Sequence, residues 1–335
     1  MSSEILEVPG MLKSLAEQIK IDIDAYCVAT YNDGPRSHLG ASQIGHPCSR
    51  YLYYQFRWIA HKVHDGRQYR LFQRGHFEEP RFTAYLEGIG CKITTLAKLL
   101  FYNAIYDSYS IENSDYVYNE STEKDVTHDH WHLKRAEEQG VKFDKGKAQI
   151  RISDCKGHFG GSLDAIVTLP ERYGLLDVVF LGEYKTQGTG RKFDELKKEG
   201  CMLKKYQHFC QQCTYGYKLG LKYGIYMVVD KNNDDLHIEV VKLDDVLGTK
   251  MIAKAESIIF TQEAPPKVSK SASYYECNYC DTRDVCWNNA PALVNCRSCF
   301  NASAVEEGNW YCKEHQSIIP KEYIHAACDK WVSLI

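Results

Sequence analysis

Two short runs decide how this chain reads: Gly160-Gly161-Ser162-Leu163-Asp164-Ala165-Ile166-Val167 and Phe180-Leu181-Gly182-Glu183-Tyr184-Lys185. Both lie in apolar stretches, 158–169 and 175–185, separated by the turn-forming segment 170–174. That pattern predicts a strand, loop, strand unit. Side chains alternate along a strand, so Glu183 and Lys185 point to one face. A hairpin pairing of the two runs sets Asp164 beside them. Two carboxylates make a hard oxygen site that suits Mg²⁺ or Mn²⁺. A metal held there polarises a phosphodiester and acidifies an attacking water. Lys185 can orient that water or stabilise charge building on the phosphate. A plain strand-end ion pair of Glu183, unrelated to Asp164, would read the same way. Charged groups in such apolar strands are unusual unless they have a task.

Working outward, apolar residues at helical spacing (Met11, Leu12, Leu15, Ile19, Ile23) predict a helix over 9–32. Ser42 is a candidate helix cap ahead of an aromatic stretch ending at Trp58, and 67–88 reads as a second amphipathic helix. A short strand is expected within 91–102 and another over 148–153, around a polar insert at about 107–147 that reads as a surface loop or helical elaboration. Beyond the catalytic strands, 191–219 reads as a helix broken near Gly200. Strands follow at 223–230 and 236–243, then a helix over 244–261 that Pro265 and Pro266 terminate.

Two further motifs stand in order around the strands. Arg74-Gly75-His76-Phe77-Glu78-Glu79-Pro80 precedes them, and Gln211-Gln212-Cys213-Thr214-Tyr215 follows. Gln211 and Tyr215 are four apart and share a helix face. Together with Gly161–Ala165 and Glu183-Tyr184-Lys185, these segments resemble the motifs of PD-(D/E)XK nucleases of the RecB-like and phage exonuclease branch. The resemblance covers most of 39–230, leaving out the polar insert. It implies an α/β, restriction-endonuclease-like core with a central mixed sheet flanked by helices. It also implies phosphodiester hydrolysis of linear DNA, with Asp164 and Glu183 holding Mg²⁺ or Mn²⁺ and Lys185 assisting the water. Glu79, ahead of Glu78, supplies a further metal-side carboxylate by this match, and Gln211 and Tyr215 position the strand. The chain departs from the pattern at Ala165, where many relatives carry Gly; that position is not a ligand.

Cysteine usage is uneven. Of 14 cysteines, Cys27, Cys48, Cys91, Cys155, Cys201, Cys210 and Cys213 are scattered over the first 213 residues and read as small buried hydrophobes, while seven crowd 277–328 at ligand spacing. Cys277-x₂-Cys280-x₅-Cys286 offers three thiolates and needs a fourth ligand. RecB-like nucleases of the CRISPR-adaptation and helicase–nuclease type have a similar arrangement, in which one upstream cysteine joins three near the C-terminus. The match here is Cys48, which implies a [4Fe–4S] cluster, with Zn²⁺ in the same ligands as the alternative and His46 as a secondary candidate. Cys296-x₂-Cys299-x₁₂-Cys312-x₂-His315 has the spacing of a zinc ribbon. Cys328 competes with His315 for the fourth place, and the cysteine-rich tails of several phage nucleases resemble this one in ending on such a late cysteine. So small a module needs a metal staple to fold. The domain organisation expected is therefore a helical segment at 1–38, a nuclease domain at 39–290 closed by the cysteines of 277–286, and a zinc-ribbon-like module at 291–335.

A net charge of −3 means that any DNA contact is local. Lys192, Lys197, Lys198, Lys204 and Lys205 are candidate phosphate contacts, as are Arg50, Arg57, Arg67, Arg70 and Arg74. A solvated helix face paired to Asp194, Glu195 and Glu199 accounts for the lysines equally well. The aromatics of 51–58 could stack on single-stranded ends or pack internally. No base-reading motif, internal repeat or long apolar span is present, and residues 1–10 do not form a secretory leader, so a cytoplasmic protein is expected. Expected partners are DNA ends, with a recombination or single-strand-binding protein as a further possibility. Two other functions stay open: end trimming of CRISPR spacers, and non-catalytic DNA binding through the ribbon.

Overall fold

The main sheet is built where the two opening runs were expected to pair. The computed structural model describes residues 9–62, 64–97, 99–103, 108–112, 123–125, 135, 138–139, 148–175 and 178–335. Helices α1 (Pro9–Tyr31), α2 (Ser49–Phe56) and α3 (Gly66–Gly88) precede the sheet's first strand, β1 (Lys92–Thr94). Then come β2 (Ala165–Thr168), β3 (Val179–Gln187), α4 (Arg191–Lys204), α5 (Tyr206–Leu219), β4 (Tyr223–Asp230), β5 (Leu236–Lys242) and α6 (Asp245–Phe260). Three short strands, β6 (Ala302–Ala304), β7 (Trp310–Cys312) and β8 (Ser317–Ile319), lie near the C-terminus. The architecture is mixed α/β. Among the described residues no helix is long and apolar enough to cross a membrane.

The chain divides into two compact units. One comprises Arg81–Ser153 and Gly160–Ile252; the other comprises Met1–Pro80, Asp154–Phe159 and Ala253–Ile335. The first holds the five-stranded sheet, in the order β5-β4-β3-β2-β1. β3 and β4 run parallel, joined through α4 and α5, and the other pairs are antiparallel. A parallel pair requires such a crossover. β3 and β4 are buried along most of their length, as central strands covered on both faces are, whereas edge strand β5 alternates in exposure. Phe180 and Tyr184 of β3, Ala165 and Val167 of β2, and Ile225, Met227 and Val229 of β4 form one core with Phe82, Leu86 and Cys91. These are alternate residues of each strand, which leaves Glu183 and Lys185 on the opposite face.

The helix break expected near Gly200 is present inside α4, at φ 80° and ψ 171°. That conformation is essentially restricted to glycine. A Cβ at Gly200 would also stand 2.8 Å from Glu239 Oε1, and Glu239 accepts a hydrogen bond from the Cys201 amide at 2.7 Å. Gly200→Ala is expected to destabilise the protein by about 1–3 kcal/mol, read as a lower urea midpoint; an unchanged midpoint would show that the break is not strained.

Several local expectations change. The run 158–169 is not one strand: Phe159–Ser162 and β2 are separate strands flanking Leu163 and Asp164. The segment 91–102 breaks into β1, Leu96–Ala97 and the start of Leu99–Asn103. Within the polar insert, Ser108–Glu112 and Glu123–Asp125 pair with Leu99–Asn103 in an antiparallel sheet, in place of a loop or helix. The remainder of 107–147, apart from residues 135 and 138–139, lies outside the described residues. Ser42 is not the cap of α2; it sits inside a 3₁₀ turn, and the cap of α2 is Cys48, whose Sγ accepts from the Tyr51 amide at 3.4 Å. Leu12, Leu15, Ile19 and Ile23 of α1 are exposed rather than packed. Within its own unit α1 is tied down by its second half, through buried Cys27 and the Asp24–Arg70 ion pair.

In the second unit, α2 supplies buried Leu52, Tyr53, Tyr54 and Phe56, and the Leu39 amide donates to the His158 carbonyl at 2.8 Å. β6, β7 and β8 form a three-stranded antiparallel sheet in sequence order. Its Trp310 is fully buried against Phe56 (centroids 5.3 Å apart) and His158 (5.6 Å).

Candidate active site

β2 and β3 pair with Ala165 opposite Gly182. Gly182 permits this close approach, since a Cβ there would lie 2.9 Å from that of Ala165. The register carries Asp164 alongside β3, where its Oδ2 accepts a hydrogen bond from the Tyr184 amide at 2.7 Å. Lys185 reaches both carboxylates: Nζ pairs with Glu183 Oε1 and lies 3.8 Å from Asp164 Oδ2. Glu183 is wholly buried, while the side chains of Asp164 and Lys185 are 15% and 26% exposed. A buried carboxylate is tolerated only when it is paired and hydrogen-bonded, and Glu183 is both.

The second partner of Glu183 comes from α5. Gln211 Nε2 donates to Glu183 Oε2 at 3.2 Å and approaches Tyr215 Oη at 3.4 Å, while the Tyr215 hydroxyl donates to the Ser162 carbonyl at 3.0 Å. Helical spacing thus joins Gln211 and Tyr215 into a chain of bonds running from β3 to the strand ahead of Asp164.

Sequence reasoning missed the layer behind this chain. His208, one turn before Gln211, shares a 2.7 Å hydrogen bond with the hydroxyl of Tyr226, the residue paired with Glu183 across β3 and β4. Burial, with Lys185 and Lys205 as neighbouring cations, lowers the His208 imidazole to about 3, so it stays neutral. Burial raises the Tyr226 hydroxyl, and it pushes the Cys201 thiol up to about 12, where Gln212 Nε2 donates to it at 3.5 Å. The signal for His208 and Gln212 was their polarity on a helix that also carries Phe209, Cys210 and Cys213, and Tyr226 gave none within its apolar strand.

Glu79 and Glu78 lie on α3 in the other unit. Glu79 is partly exposed with His76 Nδ1 at 3.3 Å, and Glu78 is buried. Among the candidate phosphate contacts, Lys197 pairs with Asp235 at 2.6 Å and Lys204 with Glu199 and Glu195 at 3.0 and 3.5 Å, in keeping with a solvated, paired helix face. Arg70 is engaged by Asp24. Arg50 donates to the Pro265 carbonyl at 2.6 Å, and Arg57 is fully buried, so neither presents its guanidinium to a ligand at the surface. Tyr53, Tyr54, Phe56 and Trp58 are buried, which makes the aromatic stretch packing rather than a stacking platform.

Of the first cysteine set, Cys277 is buried, Cys48, Cys280 and Cys286 are half-buried, and Cys280 Sγ lies 3.2 Å from Thr282 Oγ1. Burial raises the Cys286 thiol, opposed by Lys267 and Arg50 and reinforced by Cys48 and Cys280, so these three cysteines share one neighbourhood. His46 Nδ1 is taken up by the Cys48 amide at 3.1 Å. Of the second set, Cys296, Cys299, Cys312, His315 and Cys328 line a single cavity. Cys27, Cys91, Cys155, Cys201, Cys210 and Cys213 are buried, as small hydrophobes are. Among the described residues, no three Cys, His, Asp or Glu side chains are gathered closely enough to hold a metal ion.

No protein-family model matches the chain, and no curated protein does. Among solved structures it is similar to the crystal structure of SSO0001, at a TM-score of 0.41 and 13% identity over 82% of this chain and 98% of that one. It is also similar to the alkaline exonuclease LHK-Exo from Laribacter hongkongensis, at a TM-score of 0.35 and 11% identity over 67% of this chain and 87% of that one. The complex of LHK-Exo with dAMP gives a TM-score of 0.35 and 12% identity, over 66% and 86% of the two chains. All of these are slight likenesses of fold.

Proposed function

We propose that the chain is a metal-dependent DNA nuclease of the PD-(D/E)XK type that hydrolyses phosphodiester bonds at linear ends. The observation that carries this reading is the meeting of Asp164, Glu183 and Lys185 on one face of β2 and β3, braced by Gln211 and Tyr215. The donor set fits a hard divalent cation: two carboxylates converge where a cationic ammonium already sits, and one of them is wholly buried. Asp164 and Glu183 would hold the metal. Bound there, Mg²⁺ or Mn²⁺ supplies Lewis acidity toward the phosphate and an acidified water.

The residues of the chain have separate tasks around that centre. The Tyr184 amide fixes the rotamer of Asp164, and Gln211 fixes that of Glu183, so both carboxylates are aimed before substrate arrives. Lys185 pairs with both carboxylates, and its ammonium would orient a water or stabilise charge on a non-bridging phosphate oxygen. Neutral His208 behind Lys185 adds no positive charge to compete with it.

The test is degradation of end-labelled linear DNA and of closed circular DNA, with Mg²⁺ or Mn²⁺ and with EDTA, for wild type and Lys185→Ala. Metal-dependent loss of linear DNA that the variant fails to support is the expected result, and the circle separates exonuclease from endonuclease action. Wild-type protein that binds DNA and cuts it with neither metal would overturn the reading and leave DNA binding as the function.

A further inference from the structure

The nuclease reading leaves the second cysteine set and two buried arginines without a task. Cys296, Cys299, Cys312, His315 and Cys328 line a cavity of about 380 Å³ beside β7 and β8. Arg57 and Arg297 are 0% and 1% exposed. Arg297 lies inside the turn Cys296-Arg297-Ser298-Cys299, and Arg57 donates from Nη2 to the Cys299 carbonyl at 2.9 Å. All their other hydrogen bonds also go to backbone carbonyls: Ala302 for Arg57, and Arg36, Ser37 and Phe56 for Arg297. Both guanidiniums stack on Trp310, at 4.9 and 4.7 Å, and among the described residues neither pairs with a carboxylate. Two buried cations served only by carbonyls and rings call for a nearby anion.

Four cysteine thiols that lose their protons to Zn²⁺ leave a centre of net charge −2; three thiolates and a neutral histidine leave −1. The two arginines match the first. The position of His315 permits this, since its Nε2 lies 3.4 Å from Cys328 Sγ, within hydrogen-bonding reach of the sulfur. A metal-bound thiolate accepts a hydrogen bond, and a ring nitrogen that donates one cannot also ligate.

We propose that Cys296, Cys299, Cys312 and Cys328 form a closed tetrathiolate zinc site, charge-balanced by Arg57 and Arg297, with His315 bonded to Cys328 from outside the ligand set. The four sulfurs line one cavity wall, next to the β6–β8 sheet. A closed site makes the metal structural rather than catalytic. The inference does not rest on the nuclease reading, and its test reads no activity.

The full chain is loaded with ¹¹³Cd²⁺ and its cadmium resonances are assigned through couplings to cysteine β-protons; zinc content per chain is measured on protein as purified. One resonance coupled to Cys296, Cys299, Cys312 and Cys328 is expected. It should persist in His315→Ala and vanish in Cys328→Ser, with one equivalent of zinc lost. Arg57→Met should keep the site but weaken zinc about 10–100-fold in chelator competition, the range typical of outer-shell partners. Absence of metal at these cysteines, loss of the resonance in His315→Ala, or undiminished affinity in Arg57→Met would overturn the proposal. Should Cys328→Ser fail to fold, the wild-type couplings and His315→Ala decide alone.

Discussion

Replacing Glu183 with Gln is expected to lower metal-dependent DNA cleavage by about 10³-fold, comparable with removing a key electrostatic group from other hydrolytic sites. The substitution keeps the shape of the side chain, and its carbonyl oxygen can still accept from Gln211 Nε2, so the helix-to-strand brace survives. What disappears is the negative charge, in a position that is wholly buried and paired with Lys185. A neutral amide binds a divalent cation weakly and leaves the Lys185 ammonium with Asp164, 3.8 Å away, as its remaining carboxylate partner in the site. Single-turnover hydrolysis of end-labelled linear DNA measures the loss, and a melting curve on the same sample separates it from unfolding. Activity within tenfold of wild type in a folded variant would mean that Glu183 is a structural ion-pair partner and no more.

Acid should destabilise both units through two buried histidines. His158 donates from Nε2 to the carbonyls of Val305 and Asn309, at 2.9 and 3.0 Å, and packs against Phe56 and Trp310. Burial lowers its imidazole from 6.5 to about 4, and His208 falls to about 3 for the same reason. A histidine depressed in the folded state takes up its proton on unfolding. Its contribution is therefore fully present above pH 6.5 and is lost progressively as pH falls toward 4 for His158 and toward 3 for His208. By pH 4.5 the loss is about 3 kcal/mol for each. Urea midpoints at pH 7.5 and 4.5 measure it, and His158→Gln, whose amide can still donate to those carbonyls, should flatten the dependence. If wild type and variant fall in parallel, His158 is not the group responsible.

The parts of the site that were legible in the sequence are those governed by short-range periodicity. Alternation alone placed Glu183 and Lys185 on one face of β3, and the four-residue spacing of Gln211 and Tyr215 placed both on one side of α5. Gly200 announced its break because few other residues adopt its backbone angles. What stayed hidden depends on packing between distant segments. His208 and Tyr226 look like ordinary polar residues until β4 is laid beside β3. Arg57 read as a phosphate contact because a charged residue is normally exposed; only the folding of β6 and Trp310 over α2 buries it. Ser42 had the right chemistry for a cap, but the helix begins seven residues later and uses a cysteine sulfur instead.

The discontinuous make-up of the second unit sets an order of events on the ribosome. The segment Arg81–Ile252 carries every strand of the five-stranded sheet and can pair them as soon as it emerges. By contrast, Phe56 of α2 must wait for Trp310 and Arg297, more than two hundred residues downstream, before its own packing can close. At usual elongation rates that interval is roughly 10–50 s. Throughout it Phe56 lacks that part of its native cover, so the nascent chain exposes an apolar ring until residue 310 has emerged.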